Sequence, residues 1–422
     1  MKQYNIYKPS GIEWLRDIPE HWDVKRVKDL GFLQNGISKG GEYFGFGFPF
    51  VSYSDVYKGQ IKSDLIKGLA NSTLEDQKLY SVKAGDVFFT RTSETIDEIG
   101  IASTALENIK HATFSGFVIR FRPQRSINKH FSNYFFKAHI NRIFLSNEIN
   151  LVTRASLSQS TLNNLPVLIP QCAEQTAIAN YLDTKTAAID RKIELLTAKA
   201  NKYKALRRSL INETVCRGLN PNAALKDSGI EWIGMIPEHW EVKRVKEIFY
   251  IGRGRVIGQD ELVDDGRYPV FSSQTENNGC LGYINTFDFN TTLLTWTTDG
   301  ANAGTLFKRE GKFNCTNVCG TLKPKKRKEN LDFILYVLQI AAKHNKRIDT
   351  NGAKIMNNEM SVIPLLYPPK EEQEAIAQYL NEKTTQIDTI LTNINEQITK
   401  LTQLRKTLIN DVVTGKIKVT ED

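Results

Sequence analysis

The stretch SGIEWLRDIPEHWDVKRVKDL, Ser10 to Leu30, returns as SGIEWIGMIPEHWEVKRVKEI, Ser228 to Ile248, and this return decides how the chain is built. Fifteen of the 21 aligned positions are identical, and four of the other six exchange Leu with Ile or Asp with Glu. Self-similarity this close marks a duplicated unit. Working outward, EQTAIANYLDTKTAAID from Glu174 is matched by EQEAIAQYLNEKTTQID from Glu372, 198 positions later. The boxes themselves are 218 apart, so the segment between box and EQ motif is about 20 residues shorter in the second copy. A fainter third match sets RFRPQRSINKHF, from Arg120, against TLKPKKRKENLDF, from Thr321. Each half therefore runs in the order tryptophan box, variable head, long helix.

The helices carry a readable period. Leu182, Ile189, Leu196, Tyr203 and Leu210 recur every seven residues, interleaved with Ala179, Thr186, Ile193 and Ala200. Leu380, Ile387, Ile394, Leu401 and Leu408 do the same, interleaved with Ala377, Thr384, Leu391 and Ile398. A seven-residue apolar spacing held this long predicts a coiled-coil seam rather than a surface helix. Pro170 and Pro368–Pro369 stand just before the helices, where proline is tolerated; Gly218 with Asn220–Pro221 ends the first, and Gly415 the second. At 1.5 Å per residue, each helix of about 40 residues is roughly 60 Å long. The simplest packing pairs them antiparallel, which places the heads at opposite ends of a rigid spacer with a pseudo-two-fold relation.

The expected fold class is α+β: two β-rich heads joined by two long helices that form an antiparallel coiled coil. The boundaries fall at 1–170 for the first head, 171–217 for the first helix, 218–369 for the second head and 370–415 for the second helix. Inside the heads the pattern is short, β-type and turn-rich. Strands are expected at Phe48 to Ser52, Asp86 to Thr90, Ser115 to Phe121, Thr291 to Trp296 and Asn317 to Leu322, and helices at Asn128 to Phe144 and Glu329 to Lys343.

Composition bounds the function. With 422 residues, 41% hydrophobic and 10% aromatic, the chain can build cores and is too long for one ordinary domain. No apolar run approaches the roughly 18–20 residues that span a bilayer, and Met1 to Ser10 is polar, so the expected location is cytoplasmic. Of the cysteines at 172, 216, 280, 315 and 319, only Cys315 and Cys319 are close, and no second pair completes a zinc set; no metal site is expected. The formal charge of +9 suits a polyanionic partner, because each cation near a phosphate releases condensed counterions.

The chemistry-bearing motifs read mostly as structure or as DNA contacts. Gly252-Arg253-Gly254-Arg255 with Gly258 has GxGxxxG spacing and no βαβ context, so it reads as an arginine-bearing loop for phosphates and not as a nucleotide cradle. Asp23-Val24-Lys25 and Glu241-Val242-Lys243 have the D/E-x-K form of metal-dependent nucleases but lack the earlier acidic ligand, so they read as a solvated face. His21 and His239 have no activating partner nearby in sequence and read as part of an arm packed onto the helices. The basic run Lys323 to Lys328 is a turn, either solvated or on a phosphate. After the strands FFTRT (Phe88 to Thr92) and LLTWT (Leu293 to Thr297), aligned with each other, come the unlike loops SETIDE and TDGANA. Divergent polar loops on a shared frame are where base reading is expected, since Asn, Gln and Arg bond base edges bidentately. The candidate DNA contacts are Arg91, Ser93, Arg154, Arg253, Arg255, Gln274, Asn277 and Lys354. The candidate seam is Leu182, Ile189, Leu196, Leu210, Leu380, Ile387, Ile394, Leu401 and Leu408. No catalytic residue and no cofactor are expected.

The repeated GIEWxxxIPEHW box, the two variable regions, and the paired helices opening in a proline-rich, EQ-containing turn resemble the specificity subunits of type I restriction–modification systems. The resemblance covers essentially the whole chain. It implies a bacterial or archaeal cytoplasmic protein whose heads are target-recognition domains, each reading one half of a split DNA target. It also implies helices that fix the unread gap and dock two methyltransferase subunits, and motor-nuclease subunits that complete the assembly. The partners then carry the S-adenosylmethionine and ATP chemistry, and this chain is not an enzyme. Two other classes fit parts of the sequence: a nuclease built on the D/E-x-K pairs, and a coiled-coil scaffold whose heads bind proteins.

Overall fold

The computed structural model describes residues 2–93, 95, 98–148, 155–326, 329–350 and 352–420. The chain is α+β and divides into two compact units, Met1–Thr197 with Glu396–Asp422, and Ala198–Asn395. The long helices, Cys172–Arg217 and Lys370–Val413, each contribute to both units, so every unit holds one head and one antiparallel pair of helix segments.

In the first unit, Leu408, Ile409, Val412 and Val413 from the end of the second helix share one core with Ile178 and Leu182 from the start of the first. In the second unit, Ile211, Val215 and Cys216 from the end of the first helix meet Ile376, Ala377 and Leu380 from the start of the second. Of the expected seam, Leu182, Leu380, Ile387, Ile394 and Leu408 are buried, and Ile189, Leu196, Leu210 and Leu401 are half-buried. Each helix pair is closed on its flank by one ion pair, Arg405–Asp190 at 2.8 Å and Arg207–Asp388 at 3.0 Å, which the 198 offset makes equivalent. The helix ends fall where glycine permits a left-handed residue: Gly218 has φ +73° and Gly415 φ +75°.

The tryptophan box ties each head to its helix. Asp23–Arg26 pairs antiparallel with Pro166–Ile169, the strand that leads into the first helix, and Glu241–Arg244 pairs with Pro364–Tyr367 in the same register. Trp22 and Trp240 are fully buried, so truncating either to alanine would cost roughly 3–5 kcal/mol. Their indole N–H groups donate to Glu174 at 2.9 Å and Glu372 at 3.0 Å. His21 and His239 hydrogen-bond the same carboxylates, at 3.0 and 2.5 Å. The next residues, Gln175 and Gln373, donate to the carbonyls of Pro170 and Pro368 at 2.9 Å. The EQ motif is therefore the socket for the box, and the histidines belong to that joint.

The first head is built on a five-stranded sheet in the spatial order Gly31–Asn35, Val118–Pro123, Val87–Thr90, Ala102–Ala105 and Gln60–Ile61. The second repeats the first four strands as Phe249–Arg253, Cys319–Pro324, Leu293–Thr297 and Leu306–Arg309, all antiparallel. The pairing corrects one sequence alignment. Thr90 lies opposite Val118 and Thr297 opposite Cys319, so Phe89 matches Trp296 and Arg91 matches Thr298, two residues away from the FFTRT–LLTWT alignment. A slip of two keeps every side chain on its original face, so alternation alone could not reveal it. The helix expected over Asn128 to Phe144 is broken into Lys129–Phe135 and His139–Glu148. Side-chain amides satisfy the backbone there: Asn141 donates to the Phe135 carbonyl at 2.6 Å, and Asn410 accepts from the Ile140 N–H at 3.0 Å. The counterpart, Leu331–Asn345, is continuous.

Candidate functional site

Antiparallel order brings four strand ends to one edge of each sheet. In the first head these are the end of Gly31–Asn35, the start of Val118–Pro123, the end of Val87–Thr90 and the start of Ala102–Ala105. In the second they are Arg253, Cys319, Thr297 and Leu306. The loops that leave these ends are tied to one another by matching backbone bonds. The Arg91 N–H donates to the Phe117 carbonyl at 3.1 Å, and the Thr298 N–H to Val318 at 3.3 Å. The Leu157 N–H donates to the Arg91 carbonyl at 2.7 Å, and Ile355 to Thr298 at 2.8 Å. Each head thus presents the same platform of four converging segments with different side chains on it.

The backbone is pressed close at this platform. A Cβ at Gly36 would lie 2.2 Å from the Phe114 carbonyl oxygen, and one at Gly254 would lie 1.9 Å from that of Cys315. Both glycines are therefore required by the approach of the neighbouring turn, which accounts for the glycine of the Gly252–Arg255 run without any phosphate cradle.

The sequence candidates fall on this edge to different degrees. Arg91 opens the first head's loop, half-buried, with Nη1 3.4 Å from the Gly116 carbonyl. Ser93 lies on the same edge but is buried, its hydroxyl donating to Glu98 at 2.6 Å, so it supports the loop from inside. Arg154 lies outside the described residues. Arg253 is exposed at the strand end, and Lys354 is half-buried on Gly352–Lys354, bridged to Asp299. Arg255 is paired with Glu261 at 2.7 Å and Asp288 at 3.3 Å, so its charge is largely matched by its own head. Gln274 donates to the Cys280 carbonyl, and Asn277 is exposed at φ +49°. Their turn joins the edge through the Asn302 amide, which donates to Thr275 at 3.1 Å.

Sequence reasoning passed over Asn35, Gln159, Asn357 and Phe117. Gln159 Nε2 donates to Asn35 Oδ1 at 3.0 Å, and Arg253 Nε donates to Asn357 Oδ1 at 3.1 Å. Phe117 stands 64% exposed on the turn beside Arg91, an unusual cost for a phenylalanine unless something covers it. The repeat offsets that relate Gln159 to Asn357 and Asn35 to Arg253 were the signal available.

The model of the type I restriction modification DNA specificity domain matches residues 19–202 and again 237–400, once per half. The chain belongs to this family. Among members it is 24% identical over 422 residues to a putative type I restriction enzyme specificity subunit of Methanocaldococcus jannaschii, covering 96% of this chain and 95% of that one. It is 34% identical over 217 residues to a putative type I specificity subunit of Mycoplasma pneumoniae, covering 51% of this chain and 82% of the relative. With another subunit of that organism the match is 38% over 148 residues, and the chain spans only 40% of that relative's length. A chain from a structure on complex assembly and conformational transition of the type I R-M system superposes with TM-score 0.73 at 14% identity, over 95% of this chain and 99% of that chain. The HsdS subunit of Thermoanaerobacter tengcongensis gives 0.53 at 13% identity, over 95% and 98%. These likenesses show a shared fold. No helix among the described residues is long and apolar enough to cross a membrane.

Proposed function

We propose that this chain is the DNA-recognition subunit of a type I restriction–modification enzyme, reading a split duplex target with one half-site per head. The observation that carries this reading is the duplicated platform: two equivalent sheet edges, held by equivalent backbone bonds, that present unlike polar side chains. A module that recognised one symmetric partner would have no reason to diverge there, whereas two different half-sites demand it. The net charge of +9 supports a phosphate partner. Phosphate contacts hold the register while the edge residues choose among bases.

In this reading the chain performs no chemistry. The heads correspond to 1–170 and 218–369, the long helices set the gap between half-sites, and their faces outside the seam dock two methyltransferase subunits. Motor-nuclease subunits join the complex for restriction. The test is co-expression with the neighbouring methyltransferase subunit in a methylation-free host, followed by mapping of modified bases across the genome. A split motif modified on both strands is the expected result. A complex that assembles and leaves no modification would turn the reading towards a scaffold.

A further inference from the structure

The duplication sorts the polar pairs of the fold into two kinds. Pairs that hold the frame repeat with nearly the same chemistry: Trp22–Glu174 with Trp240–Glu372, Tyr134–Thr186 with Tyr336–Thr384, and Arg405–Asp190 with Arg207–Asp388. At two places the pairing persists and the chemistry changes: Tyr134 donates to Asp183 where Tyr336 donates to Asn381, and the other place is the sheet edge. Asn35 and Arg253 are related by the 218 offset of the boxes, and Gln159 and Asn357 by the 198 offset of the helices. Yet the first pair is amide to amide and the second is guanidinium to amide. The tyrosine pair keeps its donor group, whereas the edge pair changes its donor from an amide to a guanidinium, and none of its four side chains is fully buried.

Both pairs are preorganised. Asn35 and Arg253 end the outermost strands of their sheets, and Gln159 and Asn357 open the short helices Gln159–Asn163 and Asn357–Val362. The close seating of Gly36 and Gly254 fixes the backbone just beyond. An amide–amide pair consumes one donor and one acceptor. With Gln159 Nε2 on Asn35 Oδ1, the Asn35 amino group and the Gln159 carbonyl oxygen are outside this bond. A donor beside an acceptor complements the major-groove edge of adenine, which offers N7 as acceptor and N6–H as donor. In the second head, Asn357 holds Arg253 by its Nε, and one terminal nitrogen meets the Met356 sulfur at 3.3 Å. The terminal N–H groups are thereby oriented for the two acceptors of guanine, O6 and N7.

We propose that Asn35–Gln159 and Arg253–Asn357 are the base-reading dyads of the two heads, the first selecting adenine and the second guanine. This rests on the two-head reading above and assigns it to residues.

The test uses the full chain in complex with its methyltransferase subunit, first to define the modified motif and then in competition binding with duplexes altered at one base pair at a time. Gln159→Ala should lower discrimination at a single A·T pair from roughly 10–100-fold to about twofold, leaving the other half-site unchanged. Arg253→Ala should do the same at a single G·C pair in the opposite half-site. Arg253→Lys keeps the charge but loses the planar fork, and it should relax the same pair. Gln159→Glu keeps an acceptor and the size of the side chain, and it should also lose adenine selection. Melting temperature and complex assembly report folding independently. The dyads are overturned if a split target is read and the variants leave it unchanged, if both changes fall in one half-site, if the relaxed pair is of the wrong type, or if binding weakens equally to all sequences. A wild-type complex with no split target overturns the two-head reading itself, and the dyads with it.

Discussion

Removing the Glu174 carboxylate should cost far more than removing its counterpart Glu372, although the sequence makes them equivalent. Glu174 is 8% exposed and accepts from Tyr4 Oη at 2.5 Å, Trp22 Nε1 at 2.9 Å and His21 Nε2 at 3.0 Å. In Glu174→Ala the indole N–H and the phenol stay buried without an acceptor, at about 1–3 kcal/mol each. His21 is 43% exposed and can turn to water, so it adds little. The sum is about 4 kcal/mol. Glu372 is 39% exposed and, among the described residues, serves only Trp240 and the half-exposed His239; Asn222 stands where Tyr4 does, and its hydrogen bond is to Asn220. Glu372→Ala should therefore cost about 1–2 kcal/mol. Tyr4→Phe should account for much of the difference, and burial against Glu174 is also what holds the Tyr4 phenol pKa well above its usual value. Because each substitution lies in one unit, the assay is urea unfolding followed by hydrogen exchange resolved to each unit. Equal losses in the two variants, or a loss under about 1 kcal/mol in Glu174→Ala, would refute the accounting.

Three other perturbations are worth making. Gly415→Ala should destabilise more than Gly218→Ala: both force alanine into φ above +70°, worth about 1 kcal/mol, but a Cβ at 415 would lie 2.4 Å from Pro19 while one at 218 has its nearest neighbour at 3.1 Å. Thermal melting of the two variants ranks them. The Lys137 ammonium, enclosed by burial and near Arg405, has its pKa pushed down to about 7. The unfolded chain then holds one more proton between pH 7 and about 10, so stability should rise across that window by up to about 1.4 kcal/mol per pH unit. In Lys137→Met this slope should vanish, as pH-dependent urea midpoints would show. Leu196→Glu with Ile394→Glu places carboxylates at seam positions, and it should relax the gap that the complex accepts between half-sites while leaving each half-site intact. Unchanged gap selectivity in mapped methylation would count against the helices as spacer.

The architecture was legible because its signals are periodic or repeated. The seven-residue spacing from Leu182 and from Leu380 marks both long helices, and Pro170, Pro368, Gly218 and Gly415 mark their ends to within a few residues. Those signals act through local sterics and through apolar burial, which any helix of that length must obey. The break at Phe136–Ala138 was not legible, because it depends on Asn410, which is 270 residues from the Ile140 N–H it accepts. The register of Val87–Thr90 against Leu293–Thr297 was not legible either, since only pairing partners distinguish a two-residue slip.

The proposed site was hidden for the same reason, and the pairing shows how its side chains can differ between heads while the frame does not. Asn35 is 124 residues from Gln159, so no local motif joins them. The offset between equivalent residues changes along the chain: 218 at Asn35 and Arg253, 220 at Val51 and Phe271, 207 at Thr90 and Thr297, 201 at Val118 and Cys319, and 198 at Leu157 and Ile355. The net length difference of the heads is thus taken up outside the frame strands. Within the strands the offset never changes, since a one-residue shift would turn the core face outward. Insertions are confined to connections, where loop closure costs little, while strand ends stay fixed in space. A residue at such an end can be exchanged, Asn for Arg, and still meet its partner from the short helix. Under the proposed reading, selectivity built at strand ends can differ between the heads while the strands stay in register.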